Sequence, residues 1–126
     1  MKRLVTLILL AVFLGCTPQK TEGPLGHLII IGGGSPRPQP VIQKFVELAG
    51  DSNAIIGVIP MASEIFHTAG ERYRKEFLEY GVLDVRVFYI ENSLQANNDS
   101  ILNVLKECNG YFFGGGNQNR LTAIFH

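Results

Sequence analysis

Two glycine triplets and the polar residues that follow them are the groups in this sequence best suited to chemistry. Gly32-Gly33-Gly34 leads into Ser35, and Gly114-Gly115-Gly116 leads into Asn117-Gln118. Glycine lets the backbone take positive φ and lets a ligand approach the main-chain N–H groups closely. A side-chain amide both donates and accepts, so Gln118 can hold a carbonyl or orient a backbone beside a reacting group. If Asn117 and Gln118 open a helix, the free N–H groups of its first turn also favour developing negative charge. Such a rim would hold a substrate backbone or stabilise an oxyanion. Its candidate residues are Gly33, Gly34, Gly115, Gly116, Asn117 and Gln118. The plainer reading is that each triplet is a tight turn where the chain leaves a strand, with Asn117 and Gln118 capping a helix.

Several chemistries are excluded. The dinucleotide fingerprint needs G-x-G-x-x-G; Gly32 and Gly34 fit, but Arg37 takes the third glycine's place and Pro36 interrupts the turn. The next apolar segment ends at Pro60-Met61-Ala62 rather than near a ribose-binding acid. The Gly-Lys-Ser/Thr of a phosphate loop is absent. Ser35, Ser52, Ser63, Ser93 and Ser100 all lack the G-x-S-x-G setting of a nucleophile elbow, so no catalytic residue is expected within this chain. His27 falls at a strand entrance and His126 at the last position. His67 lies in the loop from Met61 to Gly70 on the ligand side, where a histidine touches a ligand or is simply exposed. With two cysteines, and neither a CxxC pair nor a Cys/His cluster, the sequence implies no metal site and no cofactor. Formal charge is zero, from 11 basic and 11 acidic residues, and no basic stripe argues for nucleic acid.

The elements that must position these turns alternate along the chain. His27 to Ile31, "HLIII", is a continuous apolar run, as expected of a strand buried on both faces. Val41, Ile42, Phe45, Val46 and Ala49 then mark one face of a helix closed by Gly50. Ala54 to Ile59 reads as a second buried strand stopped by Pro60. Thr68 and Glu71 form a capping box for a helix with Tyr73, Phe77 and Tyr80 on its core face. Glu71 with Lys75 and Arg72 with Glu76 are i, i+4 pairs on its solvent side, and Gly81 ends it. Asp84 to Ile90 is a third strand, followed by a polar loop, "ENSLQANND". Ile101, Leu102, Leu105 and Cys108 recur at helical spacing, with Cys108 as a small buried hydrophobe. Gly110 opens a fourth strand, Tyr111 to Phe113. A last helix begins at Asn117, with Leu121 and Ile124 as core positions; with Phe125 they would form an exposed apolar patch if nothing further covers them. Short loops and helical crossovers imply an α/β three-layer sandwich with a mostly parallel sheet and helices on both faces. Ligands bind such sheets beyond the carboxyl ends of the strands, where both glycine triplets would lie.

The first 26 residues read differently. Lys2 and Arg3 precede a run from Leu4 to Leu14 that is apolar apart from Thr6. That run is short of the roughly 20 apolar residues of a membrane span but suits the core of a secretory signal. Cys16 follows Leu14-Gly15 directly, with Phe13 where Leu is usual, and the stretch resembles the lipobox of bacterial lipoproteins. Residues 1–15 are thus expected to be a signal peptide and Cys16 the lipidated first residue of an exported, membrane-anchored chain. The alternative is an ordinary signal peptide with an incidental cysteine. Residues 16–26, polar with two prolines and two glycines, read as a flexible tether. What remains, residues 27–126, is enough for one small domain.

Three segments of that domain carry a family resemblance. Gly-Gly-Gly-Ser-Pro (32–36), Ile-Pro-Met-Ala-Ser (59–63) and Phe-Phe-Gly-Gly-Gly-Asn-Gln-Asn-Arg-Leu (112–121) look like cyanophycinase and its relatives in the peptidase E family. The order and spacing match from His27 to the end. Met61 stands where the family usually has Thr, and Asn117 where it often has Asp. The resemblance implies a serine-type hydrolase on a class I glutamine-amidotransferase-like, Rossmann-like fold. It implies a peptide or polypeptide substrate cleaved at peptide or isopeptide bonds next to aspartyl residues, as in cyanophycin or β-Asp-Arg polymers. It also places Gln118 in the active site. In the family the nucleophile elbow, its histidine and its acid lie further along than His126. The sequence is therefore expected to be an N-terminal part or truncated product, with a sheet incomplete at its C-terminus and no activity alone. The competing expectation is a surface-tethered ligand-binding module of the same fold with no chemistry.

Overall fold

A computed structural model describes residues 26–33 and 36–126. Its elements are α1 (Gln39–Ala49), a 3-10 turn (Asp51–Asn53), β1 (Ile55–Ile59), α2 (Phe66–Glu79), β2 (Asp84–Val87), α3 (Ser93–Ala96), α4 (Asp99–Lys106), β3 (Gly110–Phe113) and α5 (Gln118–Ile124). The three strands form one parallel sheet in the order β2-β1-β3. Ile56 is in register with Val85 on one side and Gly110 on the other, and Val58 with Val87 and Phe112.

Period-two alternation along β1 builds two cores. Ile56 and Val58 face α1 and α2 in a cluster with Ile42, Val46, Ala49, Tyr73 and Phe77. Phe77 is its centre, fully buried against the rings of Phe45 and Phe112 at 5.6 and 5.2 Å. Ile59 faces the other way, with Met61, Phe88, Ile90, Cys108 and Ile124, and there Ile55, Ile101, Leu105 and Leu121 pack against it. Helices therefore cover both faces of a parallel sheet, the α/β sandwich that the alternation implies.

Local signals at helix ends are kept where nothing competes for them. Gly50 closes α1 at φ 116°, a left-handed conformation that favours glycine. Asn92 and Asn98 cap α3 and α4 through their side chains, so the segment expected to be a polar loop holds a one-turn helix.

Four further expectations are corrected. Residues 27–31 join no strand ladder, and Leu28 and Ile30 are each 85% exposed; of this run Ile31 packs on the first core as an unpaired segment. β1 has β2 and β3 as its neighbours, and the run pairs with neither of their outer edges. α2 begins at Phe66 and not at Thr68, because Phe66 is drawn into the second core; its N-cap residue, Ile65, makes no side-chain cap. Glu71 and Glu76 are not spent on i, i+4 pairs: Glu71 accepts from the Tyr89 hydroxyl and Glu76 pairs with Arg37. Finally, Leu121 and Ile124 are not exposed. Ile124 is buried and Leu121 packs beside it on the second face, leaving only Phe125 of the expected patch half exposed.

Candidate functional site

The carboxyl ends of β1 and β3 lead into two turns that are bonded to one another. The Gly114 N–H donates to Ile59 O at 2.9 Å, continuing the ladder one step past β3. The Asn117 N–H donates to Ala62 O at 2.9 Å, and Arg120 Nε donates to Met61 O at 3.1 Å. On the β1 side the turn closes on itself, with Ser63 N–H donating to Pro60 O and Ser63 Oγ accepting from Ile65 N–H. Met61 sends its side chain into the second core, 2% exposed, while its carbonyl serves Arg120.

Glycine is required at Gly116. Its φ is +147°, and a Cβ there would stand 2.1 Å from Ala62 O and 2.4 Å from Ala62 C. Gly114 is also confined, since a Cβ would stand 2.8 Å from Tyr73 Cε2 and 3.4 Å from Pro60 Cα. Gly115 differs: it is exposed, and a Cβ would meet nothing within 4 Å. The triplet thus presses its outer residues onto Tyr73 and Ala62 and presents its middle residue to solvent.

The structure separates the two amides that follow. Asn117 is the N-cap of α5, its side chain accepting from Asn119 N–H at 3.0 Å. Gln118 is the first residue of α5, exposed, and its amide makes no hydrogen bond among the described residues. The plain capping role falls to Asn117, and Gln118 keeps a free donor and acceptor at the edge of the sheet. Because α5 has only seven residues, we assign no anion site to its N-terminus.

Gly33, of the first triplet, is placed otherwise. Gly33 is exposed, and a Cβ there would meet nothing within 4 Å, so it stands clear of the second triplet. Gly34 and Cys16 lie outside the described residues. His67 is in the first turn of α2, its ring 4.4 Å from that of Phe66 and 4.5 Å from that of Tyr89. The Tyr89 hydroxyl donates to Glu71 Oε1 and, more weakly, to His67 O. Burial, then the negative charge of Glu71, pushes the Tyr89 hydroxyl up from its ordinary value, so it stays a donor. Sequence reasoning missed Arg37 and Tyr73. Arg37 stacks 4.7 Å over the Tyr73 ring and pairs with Glu76, 39 positions away. A conspicuous arginine in place of a fingerprint glycine was the available signal.

A parallel α/β domain with its unengaged polar group at the carboxyl edge of the sheet falls within the open, Rossmann-like class, whose ligands bind at that edge. No family model matches the chain. The chain is 33% identical over 110 residues to a cyanophycinase of Synechococcus elongatus, covering 86% of this chain and 34% of that protein. A cyanophycinase of Trichormus variabilis is 32% identical over 110 residues, covering 86% of this chain and 36% of the relative. One from Geminocystis herdmanii is 30% identical over 99 residues, covering 77% and 36%. The chain thus spans about a third of the length of the curated relatives it matches, and across most of its own length it is a homologue of cyanophycinases.

Proposed function

We propose that this chain forms the N-terminal part of a cyanophycinase-like serine peptidase. The whole protein hydrolyses peptide or isopeptide bonds beside aspartyl residues, in a polypeptide of the cyanophycin type. The observation that carries this reading is the bonded pair of turns at the sheet's carboxyl edge, with Gln118 left free beside it. In this role Gln118 holds a substrate carbonyl or the backbone next to the reacting centre, and the exposed backbone of Gly115 offers a surface that a substrate chain can approach. Gly116 acts by locking the turn. Gly33 and Gly34 are assigned to substrate binding as well.

The nucleophile is supplied by a segment following His126, because none of the five serines from Ser35 to Ser100 stands in an elbow. A serine without a paired base is a weak nucleophile, so residues 17–126 alone should not turn over substrate. We further propose that the protein is exported and held at a membrane through a lipidated Cys16.

The test compares residues 17–126 with a chain extended through an in-frame G-x-S-x-G motif. Release of dipeptides from a β-aspartyl-arginine polymer is measured for both. Turnover by the extended chain, lost on replacing the elbow serine with alanine, is the expected result. Turnover by residues 17–126 alone would overturn the assignment of the nucleophile. Polymer binding without turnover by the extended chain would replace the peptidase with a binding module of the same fold.

A further inference from the structure

We propose that the outer edge of β3 is an acceptor for a further parallel strand, supplied by the segment of the same polypeptide that follows α5. Among the described residues β3 pairs with β1 alone, so its other edge carries unpaired backbone N–H and C=O groups. Neither charge nor proline protects that edge, whose residues are Gly110, Tyr111, Phe112 and Phe113. Beside it lies an open groove of about 360 Å³. Buried Ile59 and Ile90 lie at its base, and Leu105, Tyr111, Phe113 and Phe125 line it. The Tyr111 hydroxyl donates to Leu105 O at 2.7 Å, which puts Tyr111 on the α4 side of the sheet; strand alternation puts Phe113 on that side too. Tyr111, Phe113 and Phe125 are 44, 54 and 46% exposed, so three aromatic rings surround one uncovered groove. A strand laid along β3 would satisfy its backbone and send alternate side chains into that groove.

The hand of the existing connections selects this edge. α2 packs on the first core and carries the chain from β1 to β2. α4 packs on the second core and carries it from β2 past β1 to β3, the opposite way. Helices on opposite faces that step in opposite directions make crossovers of one hand, and parallel crossovers are right-handed in about 98% of cases. α5 lies on the second face, where Leu121 and Ile124 pack with Ile59 and Cys108. With the same hand, the step after α5 runs as α4's did, away from β2 and past β3. A strand on the far side of β2 would need its crossover helix on the first face. Phe125, directly after α5, is itself part of the groove, so the following residues start beside it. A parallel strand there ends on the same rim as β3, one strand spacing of about 4.8 Å from the Gly114 turn, where the proposed function needs its nucleophile. That a segment follows α5 rests on the proposed function and on relatives of which this chain spans 34 to 36%. The open edge, the groove and the hand of the crossovers do not.

Phe113→Cys, in the groove, and Leu83→Cys, directly before β2 and 63% exposed in the parent, report which edge is covered. Each is placed, with Cys108 replaced by alanine, in residues 17–126 and in the chain extended through its next apolar run. Alkylation at each position is followed by mass spectrometry, and amide hydrogen exchange is read over Gly110–Phe113. In the extended chain Phe113→Cys should react at least about tenfold more slowly and the β3 amides should exchange more slowly, with Leu83→Cys unchanged. Should Phe113→Cys disturb folding, Phe125→Cys serves in its place. Protection of Leu83→Cys instead would put the strand on β2, and a shielded thiol without slower amides would mean a cover that is not a strand; either overturns the proposal. Protection in residues 17–126 that grows with concentration would make a second copy the occupant and overturn it too, as would equal reactivity in both chains. None of these readouts uses turnover. An extended chain that shields Phe113→Cys yet hydrolyses nothing keeps the strand and removes the peptidase, whereas turnover with Phe113→Cys still reactive removes the strand site alone.

Discussion

Replacing Gly116 by alanine tests whether the two turns at the sheet's carboxyl edge are locked as described. At φ +147° an alanine is strained, and its Cβ would sit 2.1 Å from Ala62 O. A residue forced into so sparsely populated a region costs about 1–3 kcal/mol. The contact cannot be relieved without parting the turns, which loses the Asn117 N–H to Ala62 O hydrogen bond, worth about 0.5–1.5 kcal/mol net. The sum is about 2–4 kcal/mol. In a domain of this size each kcal/mol moves the midpoint by several degrees, so the melting temperature should fall on the order of 10–25 °C. Gly115→Ala is the internal control, because its Cβ meets nothing within 4 Å; it should change stability by no more than about 0.5 kcal/mol. Thermal unfolding of residues 17–126 followed by far-ultraviolet circular dichroism reads both. A Gly116→Ala melt within about 3 °C of the parent, or an equal loss from Gly115→Ala, would refute the argument.

Other expectations follow from the same structure. Asn117→Ala should cost about 1 kcal/mol, the usual scale of a lost N-cap. Gln118→Ala should leave the melting temperature nearly unchanged, yet in a competent longer chain it should lower turnover by about ten- to a thousand-fold, the scale of one oxyanion-type donor; normal turnover would make Gln118 a bystander. Burial holds the Cys108 thiol above its ordinary value. The folded state therefore keeps a proton that the unfolded chain gives up, so stability should decline as pH rises through the ordinary thiol range. Cys108→Ala should remove that part of the decline, and native Cys108 should resist alkylation at pH 8 until the chain unfolds. If Cys16 carries the proposed lipid anchor, Cys16→Ser should release the protein from the membrane fraction; a variant that stays membrane-bound as the parent does would overturn the anchor.

Periodicity and punctuation alone determined much of this fold. The 3.6-residue spacing of Ile42, Val46 and Ala49, with Gly50 behind it, specifies α1 because burial of one face and a left-handed cap point to the same helix. The Ile-rich run of β1 is legible because both faces of a central parallel strand must be apolar, and the short edge strand β3 because an aromatic run follows Gly110. The three segments that resemble cyanophycinases were legible too, since they are contiguous. What tertiary structure decided is whatever depends on a partner far along the chain. "HLIII" is an apolar run like β1, yet it pairs with neither outer edge of the sheet, because pairing depends on where distant parts of the chain place it. The Thr68–Glu71 capping box gave way to Phe66 entering the second core and Glu71 accepting from Tyr89. The two glycine triplets are identical in composition, but a Cβ at Gly32 or Gly33 would meet nothing within 4 Å, whereas Gly116 meets Ala62 O, more than fifty positions earlier, and that contact makes glycine obligatory at Gly116 while leaving Gly115 free. Arg37 and Glu76, 39 residues apart, carry no mutual signal in one sequence, because an ion pair stacked on a buried ring exists only once α2 and β3 have packed together.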